Sequence, residues 1–147
     1  SDVHLDDPRT FTRLRITVMG AVDQARYQGQ SLAAIIMMGN FVTPEQATNV
    51  QAYIDGFTRL GEMLCPRNQE TLPLINKKCK LIIVPGPTDL TSCREVLPYP
   101  PLIRPIQEAI FSRSALSRSQ IYFTSNPTRF ALLVLSFPYL FTHDCTP

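Results

Sequence analysis

Cys79-Lys80-Leu81-Ile82-Ile83-Val84-Pro85-Gly86-Pro87-Thr88-Asp89 is a short apolar run that stops in a turn. The run is too short for a stable helix, is rich in branched side chains, and ends at proline and glycine, so it reads as a buried strand. Leu32-Ala33-Ala34-Ile35-Ile36-Met37-Met38 repeats the arrangement and stops at Gly39-Asn40-Phe41. Unbroken apolar runs of this kind fit strands covered on both faces, as in parallel sheets. Ligands of such sheets bind outside the carboxyl ends of the strands. With Ser1-Asp2-Val3-His4 at the head of the chain, three stretches suggest one composite site.

Helices flank these runs. Asp7 is a good N-cap, Pro8 suits the first helical position, and Phe11, Leu14, Val18 and Val22 recur at helical spacing. Ile16 and Met19 widen that stripe, and Gly29 ends the region. Thr43-Pro44-Glu45-Gln46 reads as a capping box that opens a second helix, with Thr43 as the cap. Val50, Ile54, Phe57 and Leu64 mark its buried stripe, Tyr53 and Leu60 its flanks, and Pro66 its end. Leu102 to Phe111 predict a short helix, and Ile121-Tyr122-Phe123-Thr124 a further strand stopped by Asn126-Pro127. Six of the 13 prolines fall between Pro85 and Pro105, which predicts a long, stiff connection. Its Pro98 to Pro105 part either offers a preformed surface to a partner or simply crosses the end of the sheet. Phe130 to Leu135 fits a buried strand, whereas Ser136 to Pro147 has no period.

At 147 residues, 44% hydrophobic and 18% charged, the chain fits one globular domain and is not disordered. A net charge of +2 permits contact with a polyanion without arguing for it. Arg9, Arg13, Arg15, Arg26, Lys77, Lys78 and Lys80 read as scattered solvated charges, and no basic stripe is interleaved with aromatics. Cys65, Cys79, Cys93 and Cys145 include no C-x-x-C pair, so a structural zinc site is not expected. Free thiols in a reducing compartment are expected, since no signal peptide is present and Cys79 opens a strand. Phe130 to Phe141 is too short for a membrane span and contains Pro138. The chain reads as soluble and intracellular.

A two-metal phosphoesterase needs carboxylates, histidines and an asparagine or aspartate converging on two ions. D-x-H, G-D-x-x-D and G-N-H-D/E after successive strands form the pattern of the calcineurin-like phosphoesterases, which this sequence resembles in position and departs from in content. Asp2-Val3-His4 keeps the first motif. In the second, Asn40 and Thr43 replace the aspartates; in the third, Pro87 and Thr88 stand where asparagine and histidine belong, and Asp89 keeps the acid. Asn40 is neutral, Pro87 has no ligand atom, Thr88 is no imidazole, and His143 is the only other histidine. Asp2, His4, Asn40, Pro87, Thr88 and Asp89 are therefore read as degenerate former metal positions. No catalytic residue, bound metal or cofactor is expected. Residue by residue, Asp2 and His4 are expected to be without function here, Asn40 to turn the chain, Thr43 to cap a helix, and Asp89 to cap or brace its loop.

Ser1-Asp2-Val3-His4-Leu5-Asp6, Met38-Gly39-Asn40-Phe41 and Ile83-Val84-Pro85-Gly86-Pro87-Thr88-Asp89 closely resemble the B subunits of DNA polymerase epsilon. So do Leu97-Pro98-Tyr99-Pro100-Pro101-Leu102 and Phe123-Thr124-Ser125-Asn126-Pro127-Thr128-Arg129. The resemblance implies an α/β, partial calcineurin-like phosphoesterase fold over residues 1–129, a layered, mainly parallel sheet flanked by helices, followed by an aberrant apolar tail over 130–147. Against the family's pattern the first strand and the second half of the sheet are missing, so the chain is expected to be a fragment. It further implies a noncatalytic accessory subunit that scaffolds the catalytic subunit through that subunit's carboxy-terminal region. It would meet DNA through the complex, in the nucleus, with no membrane and no small-molecule substrate. The alternatives are an active metal-dependent phosphoesterase and a nonfunctional truncated product.

Overall fold

The computed structural model describes residues 2–68, 72–91 and 97–129. Helix α1 (Pro8–Tyr27) is followed by strand β1 (Ala34–Met38), helix α2 (Val50–Leu64), strand β2 (Lys80–Val84), helix α3 (Arg104–Ala109) and strand β3 (Ile121–Phe123). The three strands form one parallel sheet in the order β1-β2-β3, with Ile36 beside Ile82 and Ile82 beside Tyr122. This is the expected α/β architecture. The strand expected at Phe130 to Leu135, the tail, Cys93, His143 and Cys145 lie outside the described residues.

The two apolar runs have different fates. In β2 all of Leu81 to Val84 is buried, as a central strand requires. In β1 Ile36 is 41% exposed and Met38 51%, so coverage on both faces is not met there. The reason is topological: among the described residues β1 has a neighbour on one side only. The Ala33 carbonyl accepts from the Lys80 amide, and the Gly39 amide donates to the Val84 carbonyl. By the two-residue alternation of a strand, the peptide groups of Ala34, Ile36 and Met38 then face the other edge.

Helix α1 begins where its sequence dictates. The Asp7 carboxylate accepts from the Arg9 and Thr10 amides at 3.1 Å each, and from the Thr10 hydroxyl at 2.6 Å. The hydroxyl bond, aided by the two amides, holds its carboxyl below the usual carboxylate value. A depressed native value means that the stabilisation is present above the unfolded value and is lost as pH falls through the native one. Asp7→Ala is therefore expected to lower the thermal midpoint at neutral pH and to leave it nearly unchanged in strong acid, which paired thermal melts would measure.

Val18 and Val22 are buried on α1, but Ile16 is 64% exposed and Met19 38%. Ile16 does not widen the stripe: two residues from both Leu14 and Val18, it lies about 200° away around the helix, on the opposite face.

The second helix also starts later than its sequence suggests. Pro44–Gln46 form only a 3₁₀ turn, and Thr43 makes no capping bond. Its amide and hydroxyl donate instead to the two carboxylate oxygens of Asp6, at 3.0 and 2.7 Å. Asn49 caps α2 by accepting from the Gln51 and Ala52 amides. The buried stripe is Tyr53, Phe57, Leu60 and Leu64, with Val50 38% exposed, so the expected flanks are the true centre. Glycines on this face explain the rotation: Gly56 lies under Leu5 and Gly61 against the Ile110 carbonyl, where α2 meets the chain following α3.

Phe41 and Phe57 pack with ring centres 5.2 Å apart over the sheet, and Phe57 reaches Phe123 at 6.3 Å. At the opposite end of the sheet, the buried Gln120 side chain donates to the Asn76 and Cys79 carbonyls and ties the start of β3 to that of β2. Cys65 and Cys79 are free thiols, and burial pushes the Cys79 thiol up. Among the described residues no helix is long and apolar enough to cross a membrane.

Candidate functional site

Parallel pairing places the carboxyl ends of β1 and β2 side by side, so the turns after them touch. Both turns open on glycine for a steric reason. A Cβ on Gly39 would collide with the Asp89 carboxylate and lie 2.5 Å from the Gly86 nitrogen. A Cβ on Gly86 would collide with the Asn40 side-chain oxygen and lie 2.9 Å from the Gly39 carbonyl carbon. The head of the chain joins them: the His4 amide donates to the Asn40 carbonyl and the Leu5 amide to the Phe41 carbonyl, at 3.2 and 2.7 Å. The three stretches therefore converge on one place.

What converges is a set of hydrogen bonds between protein groups. Asp89 is only 1% exposed. One of its carboxylate oxygens accepts from the Phe41 amide at 2.8 Å and the Tyr53 hydroxyl at 3.2 Å, and the other from the Gly86 amide at 2.7 Å. It braces the β1 turn, the β2 turn and α2 together, the structural role expected of it. Nearer the surface, the Asn40 amide nitrogen donates to Asp2 at 3.1 Å, and the Thr88 hydroxyl donates to the Asn40 oxygen at 2.5 Å. Asn40 thus does more than turn the chain; it links the residues on either side of it. Likewise Asp2 has a place in this chain of bonds rather than none. His4 is half-buried and Pro87 exposed. Asp2 and His4 occupy the left-handed region, at φ 54° and 35°, a strained conformation for residues with a Cβ.

This donor set does not fit a pair of metal ions. Both oxygens of Asp89 face amides or a hydroxyl inside the protein, the Asn40 oxygen accepts from Thr88, and Pro87 offers nothing. Among the described residues no group of three or more His, Cys, Asp or Glu side chains is placed to share an ion. No metal-assisted step follows from these residues.

Two participants escape the sequence reading. Tyr53 reads there as a flank of α2, although a tyrosine within an apolar stripe signals a buried hydroxyl that needs a partner. Asp6, which fixes Thr43, carries no signal at all beside the capping Asp7.

The proline-rich connection is strapped to the same end of the sheet. The Tyr99 and Asn126 backbones exchange hydrogen bonds at 2.7 and 2.9 Å, and the Asn126 side chain donates to the Pro85 carbonyl at 2.8 Å. Of the two readings of Pro98 to Pro105, crossing the sheet end is what the described residues display; a partner surface is compatible with it.

Pro85, Tyr99 and Asn126 belong to three separate stretches of distinctive wording, and these bonds give that wording a common structural task. The family model for the B subunit of DNA polymerases alpha and epsilon matches residues 1–139. The match spans nearly the whole chain and every strand-end stretch of the site, and the chain therefore belongs to this family of accessory subunits of replicative DNA polymerases.

Proposed function

We propose that this chain acts within DNA polymerase epsilon as a noncatalytic B subunit, its phosphoesterase-like domain serving as a scaffold for the carboxy-terminal region of the catalytic subunit. The reading places it in the nucleus and brings it to DNA through the complex rather than by direct contact. The observation that carries the noncatalytic part is the inward-facing Asp89 carboxylate, whose two oxygens hold turns and helix together. A group so engaged is a structural brace, and Asn40 and Thr88 beside it are bonded to each other. A degenerate phosphoesterase that keeps its loops ordered by internal hydrogen bonds offers a rigid surface without chemistry. The choice of epsilon within the family is supported by the wording of the Pro85, Tyr99 and Asn126 stretches.

The test has two arms. The full chain is expected to co-purify with the catalytic subunit's carboxy-terminal region, and to leave an aryl phosphodiester intact in the presence of manganese. Manganese-dependent turnover that disappears in Asp2→Ala would establish the phosphoesterase reading instead. Failure to co-purify, with the chain folded by circular dichroism, would remove the scaffold role.

A further inference from the structure

Helices α1 and α2 enclose a trough of about 410 Å3 on the outer surface. Phe11, Met19 and Met63 give it an apolar lining, Arg15 and Arg59 contribute its positive charge, and Glu62 is the one carboxylate in its described lining. The Arg59 guanidinium sits 4.3 Å from the centre of the Phe11 ring, which holds it in place before any partner arrives. Neither Arg15 nor Arg59 has a carboxylate partner among the described residues, the ion pairs there being Arg26 with Asp23 and Arg118 with Glu108. Over its length α1 carries Arg9, Arg13, Arg15 and Arg26 against Asp23 alone. Met19, 38% exposed, has an unbranched side chain that adapts to an apolar surface laid on it.

A furrow between two helices, apolar within and cationic on its walls, matches an amphipathic helix whose apolar stripe is flanked by acidic residues. We propose that this trough docks an acidic amphipathic helix and, resting on the function proposed above, that the helix is part of the polymerase's catalytic subunit. Its apolar residues lie on Phe11, Met19 and Met63, and its carboxylates meet Arg15 and Arg59. The charge complementarity selects an acidic segment over a neutral or basic one.

The experiment titrates the catalytic subunit's carboxy-terminal region against the full chain and two double variants, R15E/R59E and R9E/R13E, at two salt concentrations. R15E/R59E should weaken binding about tenfold or more and reduce its salt dependence, while R9E/R13E, with the same change of charge elsewhere on α1, should stay within about twofold. Equal loss in both variants would reduce the effect to net charge and overturn the proposal. No loss in either would place the interface elsewhere while leaving the proposed function standing. Absence of binding by the unmodified chain would bring down that function and the docking site with it. Loss of DNA retention with undiminished binding to the catalytic subunit would assign the trough to nucleic acid and equally overturn the proposal. All four arginines are exposed, so thermal midpoints should match that of the unmodified chain. Should a glutamate variant melt early, R15Q/R59Q carries the same expectation with a smaller effect.

Discussion

Asp89→Ala is expected to lower the unfolding free energy by about 4 kcal/mol, a large share of what a small domain has. Alanine leaves three donors, the Phe41 and Gly86 amides and the Tyr53 hydroxyl, without the acceptor they now share. A buried donor stripped of its acceptor costs about 1–3 kcal/mol, and bonds to a charged group lie at the upper end of the usual range. Asp89→Asn retains the shape but must aim its amide nitrogen at donors on one side, so it should recover only part of the loss. Urea unfolding of both variants against the unmodified chain measures the two effects. A loss in Asp89→Ala below about 1 kcal/mol would mean that the carboxylate does not brace the turns.

Gly39→Ala is expected to destabilise by about 3 kcal/mol or to prevent folding, because the added methyl must enter space held by the Asp89 carboxylate and the Gly86 backbone. Neither neighbour is the free end of a flexible side chain. Gly20→Ala is the control of opposite sign. A Cβ there meets nothing within 4 Å, and the position lies inside α1, so alanine should stabilise the chain by about 0.5–1 kcal/mol. Thermal melts of the two single variants should therefore move in opposite directions. A Gly39→Ala variant with an unchanged midpoint would show that the two turns have room to separate.

The contrast between these glycines marks what the sequence discloses. Strand β2 was legible because Leu81 to Val84 lacks any polar residue, and a central strand is the simplest way to bury all four. The convergence of the three strand-end stretches was legible too, since parallel strands deliver their following turns to one edge. Helix α1 was readable at its start, where Asp7 and Pro8 act within the local chain. Thr43 misled because its partner, Asp6, is distant in sequence: a local capping signal lost to a tertiary bond with two donors. The exposure of β1 was hidden for a similar reason, as composition gives the apolarity of a strand but not the number of its neighbours. At the site, residue types revealed which ligands were lacking. They did not reveal that Asn40 joins Asp2 to Thr88 or that Tyr53 reaches Asp89.

The strap formed by Tyr99 and Asn126, anchored to the Pro85 carbonyl, bears on the speed of recognition. A proline-rich segment free in solution must find its bound shape during an encounter, and that search slows productive association. Here Leu97, 65% exposed, and Pro98 beside it stand on a segment already fastened to the sheet by backbone bonds. A protein docking on that segment would meet it ready-shaped, with association limited by diffusion and orientation instead of rearrangement.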